Sequence, residues 1–274
     1  MSKHNTIGKG ENQRAINGGD DKFYTKQFIA DFYSHIVFNR YGEKFQYVEP
    51  TAGNGSFMNI IPNIVGYDLK PESNDIIEMD IFDNTFKKND VIIGNPPFGM
   101  NASLAQSIFN HIASFDVKAI CFIVPKTFKK ISMHNKLNMN YKIVFEQDVI
   151  DNAFIVEGSD KNVSCVFQIW ERTNTTRKPM PTVECEWIEF TTKGYADLAV
   201  RRAGGKAGQI LDGLEHSETS TYFIKVKSDE VIKAIRLIDL SVIDNTAGVR
   251  SISKPELCYE INKVMEILKW QQKN

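Results

Sequence analysis

The clearest chemical pattern in the chain is the tetrapeptide Asn95-Pro96-Pro97-Phe98, which follows directly on the apolar run 91–94. Two consecutive prolines fix the backbone φ angle and remove two N–H donors, so the chain must leave a sheet here as a stiff, extended loop. Such a loop holds an amide side chain, a carbonyl and an aromatic ring in fixed relation at the carboxyl end of a strand. Open α/β sheets bind their ligands at that edge, so the tetrapeptide predicts a binding site.

A second pattern lies upstream, in the segment 49–57, where Glu49 is followed by Gly53 and Gly55. Two glycines separated by one residue let the backbone pass close to a ligand, as in the turns of nucleotide-binding folds. The segment differs from G-x-G-x-x-G because the third glycine is missing and an acidic residue leads the loop. A carboxylate would repel a pyrophosphate, so the loop favours a ligand with an ammonium and a sulfonium group, such as an amino-acid-like cofactor.

Two further acids follow at the ends of predicted strands. Asp68 comes nineteen residues after Glu49, which is the spacing at which such folds bind ribose hydroxyls. Asp80 follows a third short strand and is placed to accept a hydrogen bond from an adenine amino group. Each acid alone is typical of a helix cap or a surface position. Their order with the glycine loop and Asn95, at successive strand ends, indicates one site.

The elements that must position these residues alternate along the chain. Apolar residues at helical spacing predict an amphipathic helix over 23–38, with Phe28, Ile29, Phe32, Ile36 and Val37 on its apolar face. A second helix is predicted over 102–115. Short apolar runs predict strands at 47–49, 64–67, 91–93, 119–124, 141–145 and 163–170. This alternation predicts a doubly wound α/β domain with a mostly parallel sheet, in which the last two strands could be antiparallel.

Composition and charge limit the alternatives. The 274 residues have a formal net charge of −1, so overall charge does not argue for nucleic-acid binding. No apolar run approaches the length of a membrane helix and no secretory leader is apparent, which predicts a cytoplasmic protein. The four cysteines are far apart and favour reduced, mostly buried thiols, and the histidine spacing gives no support for a metal.

The predicted domain organisation has four parts. Residues 1–20 are polar and rich in Gly and Asn, which predicts a mobile tail. The catalytic domain is predicted over 21–172 and a linker over 173–182, where the chain becomes polar and proline-rich. Residues 183–274 form a predicted target-recognition segment, a small α+β appendage with strand-like pieces at 183–190 and 222–226 and a helix from Pro255 to about Trp270.

Over residues 20–172 the chain resembles the S-adenosylmethionine-dependent methyltransferases that act on N6 of adenine, in particular the DNA enzymes. The tetrapeptide 95–98 is similar to their catalytic (D/N)-P-P-(Y/F) motif, and Phe23-Tyr24-Thr25-Lys26 to their F-Y-T-P motif, with Lys26 where proline is usual. The resemblance implies a seven-stranded Rossmann-like sheet, S-adenosylmethionine as cofactor and a nucleic-acid substrate. It assigns catalysis to Asn95, Pro96, Pro97 and Phe98. The implied cofactor-binding residues are Phe23, Tyr24, Thr25, Glu49, Thr51, Gly53, Gly55, Phe57, Asp68, Asp80 and Phe82.

The same resemblance implies a mechanism in which the target base is unpaired or flipped out of its stack. Asn95 and the Pro96 carbonyl would accept hydrogen bonds from the adenine amine, Phe98 would stack on the ring, and Phe154 could hold its other side. Two basic clusters are candidates for phosphate contacts. The predicted substrate-binding residues are Phe154, Lys126, Lys129, Lys130, Arg201, Arg202 and Lys206, although a solvated basic face explains either cluster nearly as well.

Three other functions remain open at this point. The five residues 95–99 also resemble adenine methyltransferases of ribosomal RNA. The N-P-P-aromatic motif occurs in enzymes that methylate glutamine in release factors, although those have tyrosine in the motif and an N-terminal helical domain. A methyltransferase fold that has lost catalysis and serves as a binding module is the third. Sequence preference, strandedness, oligomeric state and association with a nuclease are not predicted.

Overall fold

The computed structural model describes residues 23–271, apart from residues 157, 241–242, 244 and 247–248. The tail predicted over 1–20 lies outside the described residues. The chain divides into two compact units, with the boundary between Pro179 and Met180.

The described part of the first unit contains three α-helices and ten strands. In chain order they are β1 (Tyr24–Thr25), α1 (Gln27–Tyr41), β2 (Gln46–Glu49), β3 (Val65–Asp68), β4 (Ile76–Glu78), β5 (Asp90–Gly94), α2 (Ser103–Ala113), β6 (Ala119–Pro125), α3 (Ile131–His134), β7 (Tyr141–Asp148), β8 (Phe154–Val156), β9 (Ser159–Lys161) and β10 (Cys165–Arg172).

Seven of these strands form one sheet in the order β4-β3-β2-β5-β6-β10-β7. The first five strands in this order, from β4 through β3, β2 and β5 to β6, are parallel to their neighbours. Strand β10 is antiparallel to both β6 and β7. The predicted doubly wound, seven-stranded α/β fold is therefore confirmed. From β2 the chain proceeds to β3 on one side and returns to β5 on the other, so the strand order reverses between β2 and β5. The crevice at the carboxyl ends of these two strands is where such sheets bind ligands.

The sheet is covered on both faces, as the continuous apolar runs of its central strands predict. Val91 and Ile93 point to the face packed against α1, and Ile92 points to the opposite face, packed against α2. All three side chains are fully buried. The sheet therefore fixes the ends of β2 and β5 rigidly, and the loops that follow them start from a well-packed core.

Helix α1 is confirmed, but its boundaries and its buried face differ from the prediction. It begins at Gln27, because Tyr24–Thr25 is a strand, and it ends before Gly42, whose N–H donates to the Phe38 carbonyl. Phe28 and Phe32 are 57% and 49% exposed. The helix buries a stripe made of Ile29, Ala30, Tyr33, Ser34, Val37 and Tyr41, so Ile29 and Val37 of the predicted face are buried as expected and Phe28 and Phe32 are not.

A small second sheet, with the order β1-β8-β9, joins the segment before α1 to a hairpin much later in the chain. Thr25 is paired with Phe154, and the N–H of Lys26 donates to the carbonyl of Ala153 at 2.9 Å. The Lys26 ammonium lies 2.8 Å from the Asp160 carboxylate on β9. This lysine, which stands where related motifs have proline, therefore fastens the N-terminal segment to the hairpin.

The second unit has an antiparallel sheet of four strands in the order β11-β14-β12-β13. Its elements are β11 (Ile188–Thr191), β12 (Leu198–Arg201), β13 (Ile210–Leu211), β14 (Thr221–Val226), α4 (Asp229–Leu237) and α5 (Lys254–Gln271). The predicted α+β character and C-terminal helix are observed, but the strand predicted from residue 183 begins only at Ile188. The two helices and the sheet enclose a separate apolar core.

The first part of the predicted linker is hydrogen-bonded to the first unit. The N–H of Thr173 donates to the Asn140 carbonyl at 2.7 Å, and that of Arg177 to the Met139 carbonyl at 2.8 Å. None of the four cysteines is in a disulfide, and Cys121, Cys165 and Cys258 are buried. No helix in the described part of the chain is both long and apolar enough to span a bilayer.

Candidate active site

The loop after β2 is a tight turn that is fixed by hydrogen bonds to Asp68. Gly53 and Gly55 have φ angles of 55° and 80°, a region that residues with a side chain rarely adopt. The N–H of Gly53 donates to Asp68 Oδ2 at 2.7 Å, and the N–H of Lys70 donates to Asp68 Oδ1 at 2.8 Å. Asp68 thus closes β3 and fixes the glycine loop, and each of its oxygens keeps a further lone pair for a ligand.

The N-terminal segment lies across this loop. A Cβ atom on Gly53 would lie 3.7 Å from Cε1 of Tyr24. The Tyr24 hydroxyl donates to Glu72 Oε1 at 2.5 Å, and the Glu72 N–H donates to the Gly53 carbonyl at 3.1 Å. Thr25 is buried, and its hydroxyl has no hydrogen-bond partner. Tyr24 therefore lies beside the glycine loop, and Thr25 follows it in the same short strand.

Glu49, at the end of β2, is a buried carboxylate with one unsatisfied oxygen. Only 2% of the residue is exposed, and Oε2 has no hydrogen-bond partner among the described residues. Burial raises the pKa of Glu49 well above its usual range, the nearby charge of Asp68 raises it further, and a hydrogen bond from the Phe57 N–H opposes both. A cation placed beside Oε2 would restore the ionised form. The hydroxyl of Thr51, two residues further on, is also buried without a partner.

Asp80 lies beyond the end of β4, beside β3. Its Oδ1 accepts from the N–H of Phe82 at 2.9 Å, which makes a local turn. Phe82 is half-buried and packs edge-to-face against His111, with ring centroids 5.4 Å apart. Since β3 and β4 are parallel neighbours, Asp68 and Asp80 lie along the same edge of the sheet.

Asn95, directly after β5, has an amide whose orientation is fixed by its surroundings. Its Nδ2 donates to the carbonyl of Phe23 at 3.2 Å. A carbonyl can only accept, so the amide nitrogen must face Phe23 and the amide oxygen must face away. That oxygen, Oδ1, is buried and has no hydrogen-bond partner in the part of the chain that the structure describes. The site therefore presents a desolvated acceptor at the carboxyl end of β5.

The rest of the tetrapeptide forms the wall beside this acceptor. Pro96 is buried, Pro97 is exposed, and Phe98 is half-buried with its ring against both layers of the core. On the other side, a Cβ atom on Gly94 would lie 3.4 Å from Cγ of Glu49. The ends of β2 and β5 thus bring Glu49 close to the strand end that carries Asn95.

Two aromatic residues assigned to the site lie in the core. Phe57 and Phe154 are each 1% exposed and pack in the apolar layer under α1. Phe57 acts on the site through its N–H, which binds Glu49. Phe154 is a strand residue of the small sheet, and its ring would have to leave the core to contact a base. We therefore leave Phe154 out of the proposed substrate site.

The lysines after β6 already have acidic neighbours. Lys129 contacts Asp148 and lies 3.8 Å from Glu146, and Lys126 lies 3.5 Å from Asp148. Burial raises the pKa of Asp148, but the two lysines more than offset this and hold it below its usual range. Lys130 is half-buried beside them. The lysine cluster does lie at the same sheet edge as Asn95, because β5 and β6 are parallel neighbours.

The arginine cluster belongs to the second unit. Arg201, at the end of β12, donates to the Ser220 hydroxyl at 2.9 Å. Arg202 is exposed, with its guanidinium 5.8 Å from the centroid of the Tyr222 ring. Lys206 is exposed in the turn that leads to β13. These three cations share one surface turn of that unit.

Two residues at this edge of the sheet are not predicted from the sequence. Thr127 follows β6 and has a buried hydroxyl without a partner, and its position after Pro125 at the end of an apolar strand is a pattern that points to it. Glu72 binds Tyr24 from a loop with no distinctive pattern, so nothing in the sequence singles it out. Within the described residues no cluster of three or more His, Cys, Asp or Glu side chains is arranged to hold a metal ion.

The arrangement has a defined chemical capacity. The glycine loop, Asp68 and Glu49 can hold a ligand that combines hydroxyl groups with a cation. Asn95 can accept a hydrogen bond from an N–H donor, and Phe98 offers a planar apolar surface beside it. The site is therefore suited to bring a cationic cofactor against a planar amine.

A protein family whose members resemble methyltransferases matches part of the chain. Residues 67–183 match the EDM2 methyltransferase-like domain. The matched stretch includes Asp68, Asp80 and the tetrapeptide 95–98 but begins after the glycine loop. The match supports a methyltransferase family for the first unit. The chain matches none of the curated proteins.

Three solved structures are similar to this chain at low sequence identity. A Pyrococcus horikoshii protein assigned as an RNA methyltransferase is 12% identical, covers 60% of this chain and 98% of its own, and gives a TM-score of 0.43. A modification subunit assigned to a type I restriction enzyme of Vibrio vulnificus is 13% identical over 88% of this chain, with a TM-score of 0.40, and the match spans 57% of that subunit. An Escherichia coli protein assigned as a methyltransferase is 10% identical, with 53% and 88% coverage and a TM-score of 0.35.

Proposed function

We propose that the first unit transfers a methyl group from S-adenosylmethionine to N6 of adenine in DNA. The observation that carries this proposal is the amide of Asn95. Its nitrogen is bound to the Phe23 carbonyl, and its buried oxygen is left without a partner. A buried acceptor without a partner loses roughly 1–3 kcal/mol of solvation, which a ligand N–H donor would recover.

The adenine amine is a poor nucleophile because its lone pair is delocalised into the ring. Hydrogen bonds from its two N–H groups to Asn95 Oδ1 and the Pro96 carbonyl would localise that lone pair on nitrogen. Both acceptors are held by β5 and the prolines, so they need no reorganisation as positive charge develops on N6. Phe98 would stack on the base and orient it toward these acceptors.

The residues around the glycine loop fit the cofactor. Glu49 Oε2 would bind its ammonium group, Asp68 its ribose hydroxyls and Asp80 its adenine amino group. S-adenosylmethionine, when bound, supplies a methyl group activated by a sulfonium sulfur. The unsatisfied oxygen of Glu49 supports this assignment, because a buried carboxylate is stable as an ion only beside a positive charge.

A paired base cannot reach a site between two strand ends, so the target adenine would have to be flipped or unpaired. We favour DNA over RNA because the second unit, residues 180–274, is large enough for target recognition. The exposed cations Arg202 and Lys206 are available there for phosphate contacts.

The test is transfer of a tritiated methyl group from S-adenosylmethionine to duplex DNA, single-stranded DNA, ribosomal RNA and release-factor protein, followed by nucleoside and amino-acid analysis. We expect the label in N6-methyldeoxyadenosine. We expect Asn95→Ala to lower it at least about 100-fold, while Asn39→Ala, which changes an exposed asparagine on α1, leaves it unchanged. Label in N6-methyladenosine of RNA would retain the chemistry and reject DNA. Label in glutamine, or cofactor binding without transfer to any substrate, would reject the proposal.

A further inference from the structure

The turn that follows Phe98 has an unusual backbone. Gly99, Asn101 and Ala102 have φ angles of 68°, 54° and 62°. At Gly99 a side chain is excluded, since a Cβ atom there would lie 2.7 Å from Cβ of Leu104. For alanine the left-handed region is unfavourable, so the surroundings must hold Ala102 in it. Strain of this kind tends to persist where the strained segment has a function.

The two ends of this turn are firmly anchored. The carbonyl of Phe98 accepts from the N–H groups of Leu104 and Ala105, at 3.1 Å and 3.2 Å. Ala102 is buried, and its N–H donates to the Gly99 carbonyl at 3.2 Å. The turn is therefore a rigid projection from the start of α2, fixed relative to the tetrapeptide.

The tip of the projection is a large apolar side chain in water. Met100 is 84% exposed, the highest value among the large apolar side chains that the structure describes. It lies two positions after Phe98 and five after Asn95. Among the described residues of the first unit, Met100 belongs to neither core layer, so the packing seen there does not account for an apolar residue at this position.

We propose that Met100 is a wedge that enters the DNA base stack and fills the space left by the target adenine when that base turns into the site. The inference rests on the proposed function and extends it to paired DNA. Apolar side chains, methionine among them, are used to part neighbouring bases. The methionine thioether is flexible and favours contact with aromatic faces, which suits a gap of variable shape. The rigid turn would deliver it at a fixed distance from Phe98.

The experiment compares methyl transfer to methyl-free duplex DNA with transfer to the same DNA after separation of its strands. An unpaired adenine needs no wedge. We therefore expect Met100→Ala to lower the rate on duplex DNA at least about tenfold and to change the rate on separated strands less than about twofold. Met100→Leu keeps an apolar wedge and should restore most of the duplex rate. Leu237→Ala removes another highly exposed apolar side chain, 71% exposed, from α4 and should change neither rate.

The outcomes separate this inference from the proposed function. If the wild-type protein methylates adenine in both forms of DNA and Met100→Ala slows both or neither, the wedge is rejected and the proposed function stands. If the wild-type protein methylates only separated strands, the wedge is likewise rejected. If it methylates neither form, the proposed function fails and this inference fails with it.

Discussion

Two groups of polar side chains lie at neighbouring strand ends of the same sheet, and they differ in whether their polar atoms are satisfied. At the ends of β2 and β5, Glu49 Oε2 and Asn95 Oδ1 are buried without partners. At the end of β6, Lys126 and Lys129 are neutralised by acids on β7. A buried oxygen without a hydrogen-bond partner lowers the stability of the fold until a ligand donates a hydrogen bond to it. An ion pair within the fold needs no ligand. The comparison favours the first group as the site and the second as support.

The largest effect should follow from removal of the Asn95 oxygen. We expect Asn95→Ala to lower the turnover number about 100- to 1,000-fold, the range typical of a lost donor or acceptor in a preorganised site. Cofactor affinity should stay within a few-fold of wild type, since Asn95 touches the substrate side. Single-turnover methyl transfer and titration calorimetry measure the two quantities. Near-normal turnover would remove Asn95 from the mechanism.

The next effect concerns Glu49 and the cofactor. Glu49→Gln keeps the shape of the side chain but removes the charge that would bind an ammonium group. We expect the dissociation constant for S-adenosylmethionine to rise roughly 10- to 100-fold, in line with hydrogen bonds to charged groups. Equal affinity in the two proteins, measured by calorimetry, would place the ammonium group elsewhere.

Glu49→Gln should weaken cofactor binding, but it should raise the stability of the ligand-free protein. The folded-state pKa of Glu49 is raised, so the folded chain holds a proton that the unfolded chain has lost. Stability therefore falls as pH rises from the usual glutamate range toward the raised pKa. Glu49→Gln removes that loss, and its melting temperature should exceed that of wild type by a margin that widens with pH. A margin independent of pH would contradict the assigned pKa shift.

A smaller effect is expected from the cations of the second unit. Arg201→Ala combined with Arg202→Ala should weaken DNA binding and reduce the slope of log affinity against log salt by about 2, since each phosphate contact contributes about 0.9. The lysine variants at both positions keep the charge and should keep the slope. An unchanged slope in the alanine variant would assign both arginines to the structure of their turn.

The smallest effect should come from the lysines at the end of β6. A double-mutant cycle with Lys129→Ala and Asp148→Asn should give a coupling of about 0.2–1 kcal/mol to stability, as for other half-exposed ion pairs. The lowered pKa of Asp148 means that this contribution is lost as the pH falls through and below the carboxylate range. A loss of DNA affinity larger than that of the arginine pair would reverse the comparison drawn above.

The sheet and the order of its site loops could be predicted from the sequence because each rests on local information. Buried parallel strands are continuous apolar runs, and the acids and the tetrapeptide end those runs. The exposure of Phe28 and Phe32 on α1 could not be predicted in this way. Phe28 and Phe32 are as apolar as Ile29 and Tyr33, and only the position of the helix on the sheet decides which pair is covered.

Contacts between distant parts of the chain account for the other differences. The pairing of β1 with β8 joins segments about 130 residues apart, and it makes Phe154 a core strand residue. No local pattern reveals that pairing, nor that Lys126 and Lys129 face acids on β7. The orientation of the Asn95 amide is a contact of the same kind, since its partner is the carbonyl of Phe23.

The N-terminal segment formed by residues 23–25 has a consequence for how the protein folds during synthesis. The ribosome synthesises Tyr24 and Thr25 early, yet their partner strand, β8, emerges about 130 residues later. At roughly 5–20 residues per second this delay is on the order of ten seconds. During that time β2 to β6 can pair in sequence, but the carbonyl that orients Asn95 has no fixed position. The nascent chain can therefore form the parallel part of its sheet first, and it gains a competent site only after β8 has been synthesised.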